Sequence, residues 1–237
     1  MSTPRHIVGV SGGKDSVALA LALRGAEPRD YEYICNWTGN ELPDMAAHMA
    51  RIEALLGKPI RRVTYRFDLF GLIDELGMIP NFRARFCTRV LKIEPTIAFF
   101  ESLPPESVLY VGLRADEEER KGLYGDDVRV RYPMREWGWT EADVWRYLDA
   151  RGICIPKRTN CAVCYDQQIG EWHDLYQNHP VEYARGVAAE ITHGHTFRSD
   201  KRDTWPASLL ELAQEFESGR KLRRRAKAAR ACRVCSV

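Results

Sequence analysis

The chain has no apolar run approaching the ~18 residues of a membrane-spanning helix, and its first ten residues, MSTPRHIVGV, hold no secretion-signal core. A membrane protein is therefore not expected, and a cytoplasmic location is. Internal repeats and low-complexity segments are absent too, which excludes solenoids and arrays. Histidine is scarce, with six in 237 residues. Only His193-Gly194-His195 has ligand character, and loop histidines of this kind are more often solvated, so no role is assigned to them. Cysteine is not scarce. Seven is a high, odd count for a reducing compartment, where C-x-x-C spacing points to metal, iron–sulfur or redox work before disulfides.

With 45% hydrophobic and 29% charged residues, the composition is ordinary for a globular protein and long enough to bury a core without disulfides. The net charge of +2 conceals an asymmetry, because Arg220 to Arg233 carries eight basic residues and no acid. A basic tail on an acidic body fits a polyanion partner such as tRNA or DNA; a solvated tail is the plainer alternative.

Apolar runs at His6–Val10, Tyr31–Trp37, Ile60–Tyr65 and Val108–Leu113 read as strands, with a short fifth at Arg129–Tyr132. Helical patterns fall between them, at Val17–Leu23, Pro43–Leu56 and Phe86–Phe100, where Pro95 is expected to kink or divide the helix. Thr140–Ala150 reads as a helix with Thr140 and Asp143 as a capping box. Strands alternating with helices predict an α/β fold with a doubly wound, mostly parallel sheet, followed by a helical, cysteine-rich C-terminal region. The expected divisions are a nucleotide-binding domain over 1–150, a helical cysteine-containing region over 151–219, and a basic C-x-x-C tail over 220–237.

Between the first strand and first helix stands Ser11-Gly12-Gly13-Lys14-Asp15-Ser16. A helix N-terminus offers unpaired N–H groups and a positive dipole end to phosphate. Gly12 and Gly13 allow close backbone approach, Ser11 and Ser16 offer hydroxyls, Lys14 adds charge, and Asp15 suits Mg²⁺. The Walker loop spaces its glycines differently, so γ-phosphate hydrolysis is not expected. A tight Gly-Gly turn without ligand is the structural alternative.

This SGGKDS loop resembles the PP-loop of the adenine-nucleotide α-hydrolase superfamily, a resemblance that implies cleavage of ATP between its α and β phosphates. Phe86-Cys87-Thr88-Arg89-Val90-Leu91-Lys92-Ile93-Glu94-Pro95 is similar to the Cys-Thr…Lys…Pro segment of phosphoadenosine-phosphosulfate (PAPS) reductase-like proteins. Gly112-Leu113-Arg114-Ala115-Asp116-Glu117 with Arg120 resembles their G-x-R-x-x-E…R motif. Tyr132-Pro133-Met134, Trp139-Thr140 and Asp143-Val144-Trp145 resemble a later block, and Thr38-Gly39 with Glu41 and Pro43 the segment after their second strand. Trp37 departs from the Asp that many relatives carry there. Residues 166–237, with Arg198-Ser199-Asp200 and Arg202-Asp203-Thr204-Trp205-Pro206, look like phage or prophage relatives. The resemblance makes Lys14, Asp15 and Cys87 catalytic candidates. It makes Ser11, Gly12, Gly13, Ser16, Thr38, Gly39, Lys92, Gly112 and Arg114 nucleotide-binding candidates. Arg85, Arg89, Lys92, Arg114 and Arg120 read as an anion-binding wall, or as solvated helix faces.

Cys161-Ala162-Val163-Cys164 and Cys232-Arg233-Val234-Cys235 have metal-ligand spacing and together could hold a structural Zn²⁺. The alternative is a [4Fe-4S] cluster on Cys87, Cys161, Cys164 and either Cys232 or Cys235, which resemblance to APS reductases and the DNA-phosphorothioation ATPase supports. A third option makes the tail pair a mobile redox dithiol. Cys35 and Cys154 are expected to be packed. Trp137, Trp139 and Trp145 read as core or helix-face residues.

The leading reading is an enzyme that binds ATP with Mg²⁺, releases pyrophosphate and activates an acceptor for sulfur transfer, with a separate sulfur donor. Its rival is a PAPS or APS reductase working with a thioredoxin-like reductant, weakened by the intact Lys-Asp pair and the missing Glu-Cys-Gly terminus. A nucleotide- or nucleic-acid-binding module without turnover is the third.

Overall fold

The computed structural model describes residues 3–117, 119–120 and 124–222. Cys232, Cys235 and the tail beyond Leu222 lie outside the described residues, and the expectations placed on them are not addressed by the fold.

The expected strands form, each shorter than its apolar run: β1 His6–Gly9, β2 Tyr31–Asn36, β3 Ile60–Val63, β4 Val108–Tyr110 and β5 Val130–Arg131. They make one five-stranded sheet in the order β3-β2-β1-β4-β5, with every neighbouring pair parallel. Parallel neighbours require crossovers, which put helices on both faces. The elements between strands supply them: α1 Lys14–Ala26, α2 Asp44–Leu56, α3 Leu69–Leu76, α4 Phe86–Thr88 and α5 Glu94–Glu101. After β5 come α6 Pro133–Glu136, α7 Glu141–Asp149, α8 Ile169–Asn178, α9 Pro180–His193 and α10 Leu209–Glu217.

Because alternate strand residues face opposite sides, consecutive apolar positions feed two cores. Val8, Cys35 and Tyr110 pack with Val17 and Leu23 of α1 and Val144 and Leu148 of α7. Ile7, Ile34 and Leu109 pack with Phe99 and Phe100 of α5. A third core joins Leu42, Met45 and α3 to Trp172, Tyr183, Leu209 and Phe216 of the C-terminal helices. No helix among the described residues is long and apolar enough to cross a membrane.

Several local expectations are refined. Asp143 accepts from both the Thr140 amide, at 2.9 Å, and the Thr140 hydroxyl, at 2.7 Å, which fixes the start of α7. Pro43 precedes α2 rather than joining its first turn. The run around Pro95 is divided: a π-helical turn over Arg89–Ile93 stands between α4 and α5, and Pro95 lies in the first turn of α5. A proline cannot donate to the carbonyl four residues back and crowds it, and a widened turn relieves both. Cys35 is buried as expected, and burial pushes its thiol up to about 12. Cys154 corrects the expectation, because Ile153 and Ile155 turn towards the first core and leave the residue between them exposed.

Glu190 of α9 ties the C-terminal region together. Its carboxylate accepts the amides of Phe197, at 2.9 Å, and Leu209, at 2.6 Å. Burial outweighs these bonds and Arg198, raising its pKa from 4.5 to about 7. The native state therefore holds a proton there that the unfolded chain releases. Stability should fall as pH rises from about 4.5 to about 7, by on the order of 3 kcal/mol, and then level off. Denaturant midpoints at pH 5 and pH 8 should differ in the parent and differ less in Glu190→Gln.

Candidate active site

The strand order places the ligand crevice. The chain moves outwards from β1 through β2 to β3, then returns to the other side of β1 as β4, so the loops after β1 and β4 diverge at their carboxyl ends. Those loops carry Ser11–Gly13 and Gly112–Arg114.

Helix α1 starts without a side-chain cap at Gly13, so its first-turn amides have no partner from the capping position. Gly12 has φ +81°, and a Cβ there would stand 2.9 Å from Met45 Cε. Beneath it, buried His48 meets the Gly12 carbonyl through Nε2 at 2.9 Å. A carbonyl only accepts, so Nε2 carries the proton. Burial holds His48 below its ordinary pKa despite that bond, which keeps it neutral. The Ser16 hydroxyl donates to the Gly13 carbonyl at 3.0 Å and accepts the Ser11 amide at 3.1 Å, with the Ser11 hydroxyl also 3.1 Å away. It braces the loop.

Lys14 Nζ lies 3.1 Å from Asp15 Oδ2 and 3.4 Å from Glu141 Oε1. Arg114, buried, donates to Asp15 Oδ2 at 2.9 Å and to Asp116 Oδ1 at 2.8 Å. Burial alone would lower the Arg114 pKa, but Asp15, Asp116 and Glu117 together hold it above its ordinary value. Asp15 Oδ1 is buried with no hydrogen-bond partner. Gly112 explains the close fit: a Cβ there would meet the Asp15 carbonyl carbon and oxygen at 3.0 Å, so only glycine lets β4 come this near to α1. The anion wall forms only in part. Arg114 belongs to the site, Arg120 pairs with Glu117 at 2.5 Å, and Arg89 is exposed and paired with Glu94.

Beside this loop the fold gathers the cysteines. Cys87, Cys161 and Cys164 line one cavity with Thr38, Thr88, Lys92 and Tyr165. The π-helical turn brings Lys92 there on the same helical run as Cys87. Thr38 Oγ1 is 3.7 Å from Cys161 Sγ, while the Thr38 amide and hydroxyl both donate to Glu41, each at 2.7 Å. Gly39, at φ +70°, abuts Asp68. The Cys161–Cys164 loop is held from both sides. Asn40 donates to the Val163 carbonyl at 2.8 Å and its own carbonyl accepts from Ala162. Arg158 donates to the Cys161 carbonyl at 2.6 Å, and Arg202 to the Tyr165 carbonyl at 2.7 Å. Thr159, two residues before Cys161, has its hydroxyl 3.4 Å from where a Gly13 Cβ would be, so the cysteine loop reaches the phosphate loop. Among the described residues, no group of three or more His, Cys, Asp or Glu is gathered so as to hold a metal ion.

Sequence reasoning missed His48, Asn40, Glu141, Arg158 and the role of Arg202. His48 left one signal: it interrupts the apolar face of α2 formed by Met45, Met49 and Ile52.

Parallel strands reversing at β1/β4 behind a glycine-rich, basic helix N-terminus define the PP-loop type of adenine-nucleotide fold. The chain belongs to the PAPS reductase family: the model of the phosphoadenosine phosphosulfate reductase domain matches residues 5–157. A comparison with curated proteins finds no match. Among solved structures, a phosphoadenylyl-sulfate (PAPS) reductase from Candida auris in its phosphate complex is similar with TM-score 0.51 and 13% identity, over 65% of this chain and 76% of that one. The U34-tRNA thiolase NcsA from Methanococcus maripaludis, with its [4Fe-4S] cluster, gives TM-score 0.48 and 16% identity over 95% and 84%.

Proposed function

We infer that this chain is an ATP-dependent activating enzyme within the PAPS reductase family. The observation that supports it is the uncapped N-terminus of α1, carrying Lys14 and an Asp15 whose Oδ1 is buried and unpartnered. The first-turn amides and Lys14 bind the β and γ phosphates of ATP. Asp15 Oδ1 fits Mg²⁺, which takes one or two carboxylate oxygens beside phosphate; the metal would neutralise charge gathering on the leaving group. An acceptor oxygen or sulfur attacks the α phosphorus, the bond to the bridging oxygen breaks, and pyrophosphate leaves with the electron pair. Amides and Lys14 already aimed at that charge stabilise it without reorganisation. The acceptor's proton passes to solvent.

Cys87, Cys161 and Cys164 border one cavity next to the phosphate loop, a placement that suits sulfur transfer to the activated acceptor. With Cys232 or Cys235 they would hold a [4Fe-4S] cluster, whose cysteines each bind a different iron and so need not converge on a single ion.

The family match over 5–157 favours a second reading, a sulfonucleotide reductase. There a cysteine thiolate attacks the sulfur of PAPS, the sulfur–oxygen bond to the nucleotide breaks, and a thioredoxin-like dithiol releases sulfite while becoming a disulfide.

One experiment separates the two. Protein purified without oxygen is given Mg-ATP or PAPS, and pyrophosphate and sulfite are measured alongside iron, zinc and the visible spectrum. Pyrophosphate and AMP from ATP are expected, water taking the acceptor's place, with iron and a broad visible absorption. Sulfite from PAPS without ATP turnover would overturn the activating reading, and a colourless protein with stoichiometric zinc would overturn the cluster.

A further inference from the structure

After the carboxyl ends of β2 and β3, and on α3 beyond them, aromatic rings carry arginines on their faces. The Arg62 guanidinium sits 4.3 Å over the Trp37 ring, Arg66 4.6 Å over Phe67 and 5.8 Å over Tyr65, and Arg185 4.3 Å over Phe70. Tyr65 and Phe67 contact each other edge to face at 6.3 Å. The loops bearing these rings are joined, because the Leu69 amide donates to the Thr38 carbonyl at 2.8 Å. All four rings are partly buried against the third core, and the arginines above them are exposed.

We propose that this strip docks a single-stranded nucleic acid, which identifies the class of acceptor for the activating reaction; the proposal rests on that reading of the phosphate loop. Three features favour such a partner. Rings rooted in a core lose little freedom on binding, and a guanidinium stacked on a ring presents its other planar face to an incoming base. The nearby carboxylates are already engaged: Glu75 with Arg66 at 3.0 Å, Asp68 with Arg185 at 3.5 Å, and Asp74 with His193 at 2.9 Å. Arg62 has no ion pair among the described residues and keeps its charge for a phosphate. The strip also leads somewhere, since Thr38 and Leu69, which it flanks, both line the cysteine cavity. A base lying on the strip would have its neighbour at that cavity's rim. A duplex hides its base faces, and an acidic peptide has no planar groups to stack, so neither uses the rings.

The test is fluorescence anisotropy with a short labelled single-stranded RNA, the same sequence as a duplex, and a polyglutamate peptide, across a salt series. The full chain should bind the single strand most tightly. Arg62→Glu with Arg66→Glu should weaken that binding at least about tenfold and reduce the salt slope by about one per phosphate contact removed. Lysine at both positions should fall between, because it keeps charge and loses the planar stack. No binding of the single strand, parent-like binding by the glutamate variant, or a preference for duplex or polyglutamate would each overturn the proposal. Parent-like binding by that variant would leave the basic tail as the contact. Neither arginine touches the phosphate loop, so pyrophosphate release with water in the acceptor's place, leaving AMP, should be equal in parent and variants. Absence of pyrophosphate in the parent, with binding intact, would instead count against the activating reading.

Discussion

Replacing Lys14 with methionine is expected to cut pyrophosphate release from Mg-ATP by about a hundredfold to a thousandfold, with little change in folding stability. Lys14 is the first residue of α1 and faces the crevice with only 12% of its side chain exposed. On the proposed reading its ammonium would meet the negative charge that grows as pyrophosphate departs, and a fixed cation in a poorly hydrated site is worth far more than one in water. Arg114 is already committed to Asp15, Asp116 and Glu117 and is not placed to substitute. Folding should tolerate the change because Arg114 continues to neutralise Asp15. Steady-state kinetics check the assignment. A fall in kcat and kcat/KM together marks an interaction made in the transition state, whereas a raised KM with unchanged kcat would reduce Lys14 to a ground-state contact.

Arg114→Met should be the most destabilising single change at the site, costing about 3–5 kcal/mol. Methionine approximates the arginine stem but removes the buried cation that Asp15, Asp116 and Glu117 share, leaving Asp15 with Lys14 alone, Glu117 with Arg120, and Asp116 without an ion pair among the described residues. The loss arises from uncompensated charge more than from the ion pair itself. The double variant Asp15→Asn/Arg114→Met should therefore recover part of the stability, although it stays inactive. Urea midpoints of the parent, both single variants and the double variant give the coupling energy directly. A loss below about 1 kcal/mol in Arg114→Met would mean that water screens the pair as at a surface.

The sheet and phosphate loop were legible because their signals are local. An apolar run, two glycines and a lysine at the start of a helix are all read within a dozen residues, and Cys161 and Cys164 carry their spacing in one turn of chain. What holds these pieces in place was not legible. Asn40 lies 123 positions from Val163, and its buried side chain has meaning only once the loop arrives beside it. Arg158 and Arg202 read as ordinary surface charges, yet both are used on backbone carbonyls of the cysteine loop. Glu141 was read only as part of a helix start. Its approach to Lys14 depends on α7 packing along α1. Pro95 marked the break in its helical run, but the π-helical turn that makes the break was not legible, since the local rule says only that the pattern must change there.

The third core has a consequence for where this protein can be cut. The match to the reductase domain spans residues 5–157, but Leu42, Met45, Leu72 and Ile73 within it share their packing with Trp172, Leu209, Leu212 and Phe216 beyond it. The edge of the match is therefore not a border of autonomous folding. A fragment trimmed to the family span would turn an interior surface outwards and would also lose the loop that brings Cys161 to the phosphates. The residues beyond the family match are the ones without which the third core of the matched span stays open.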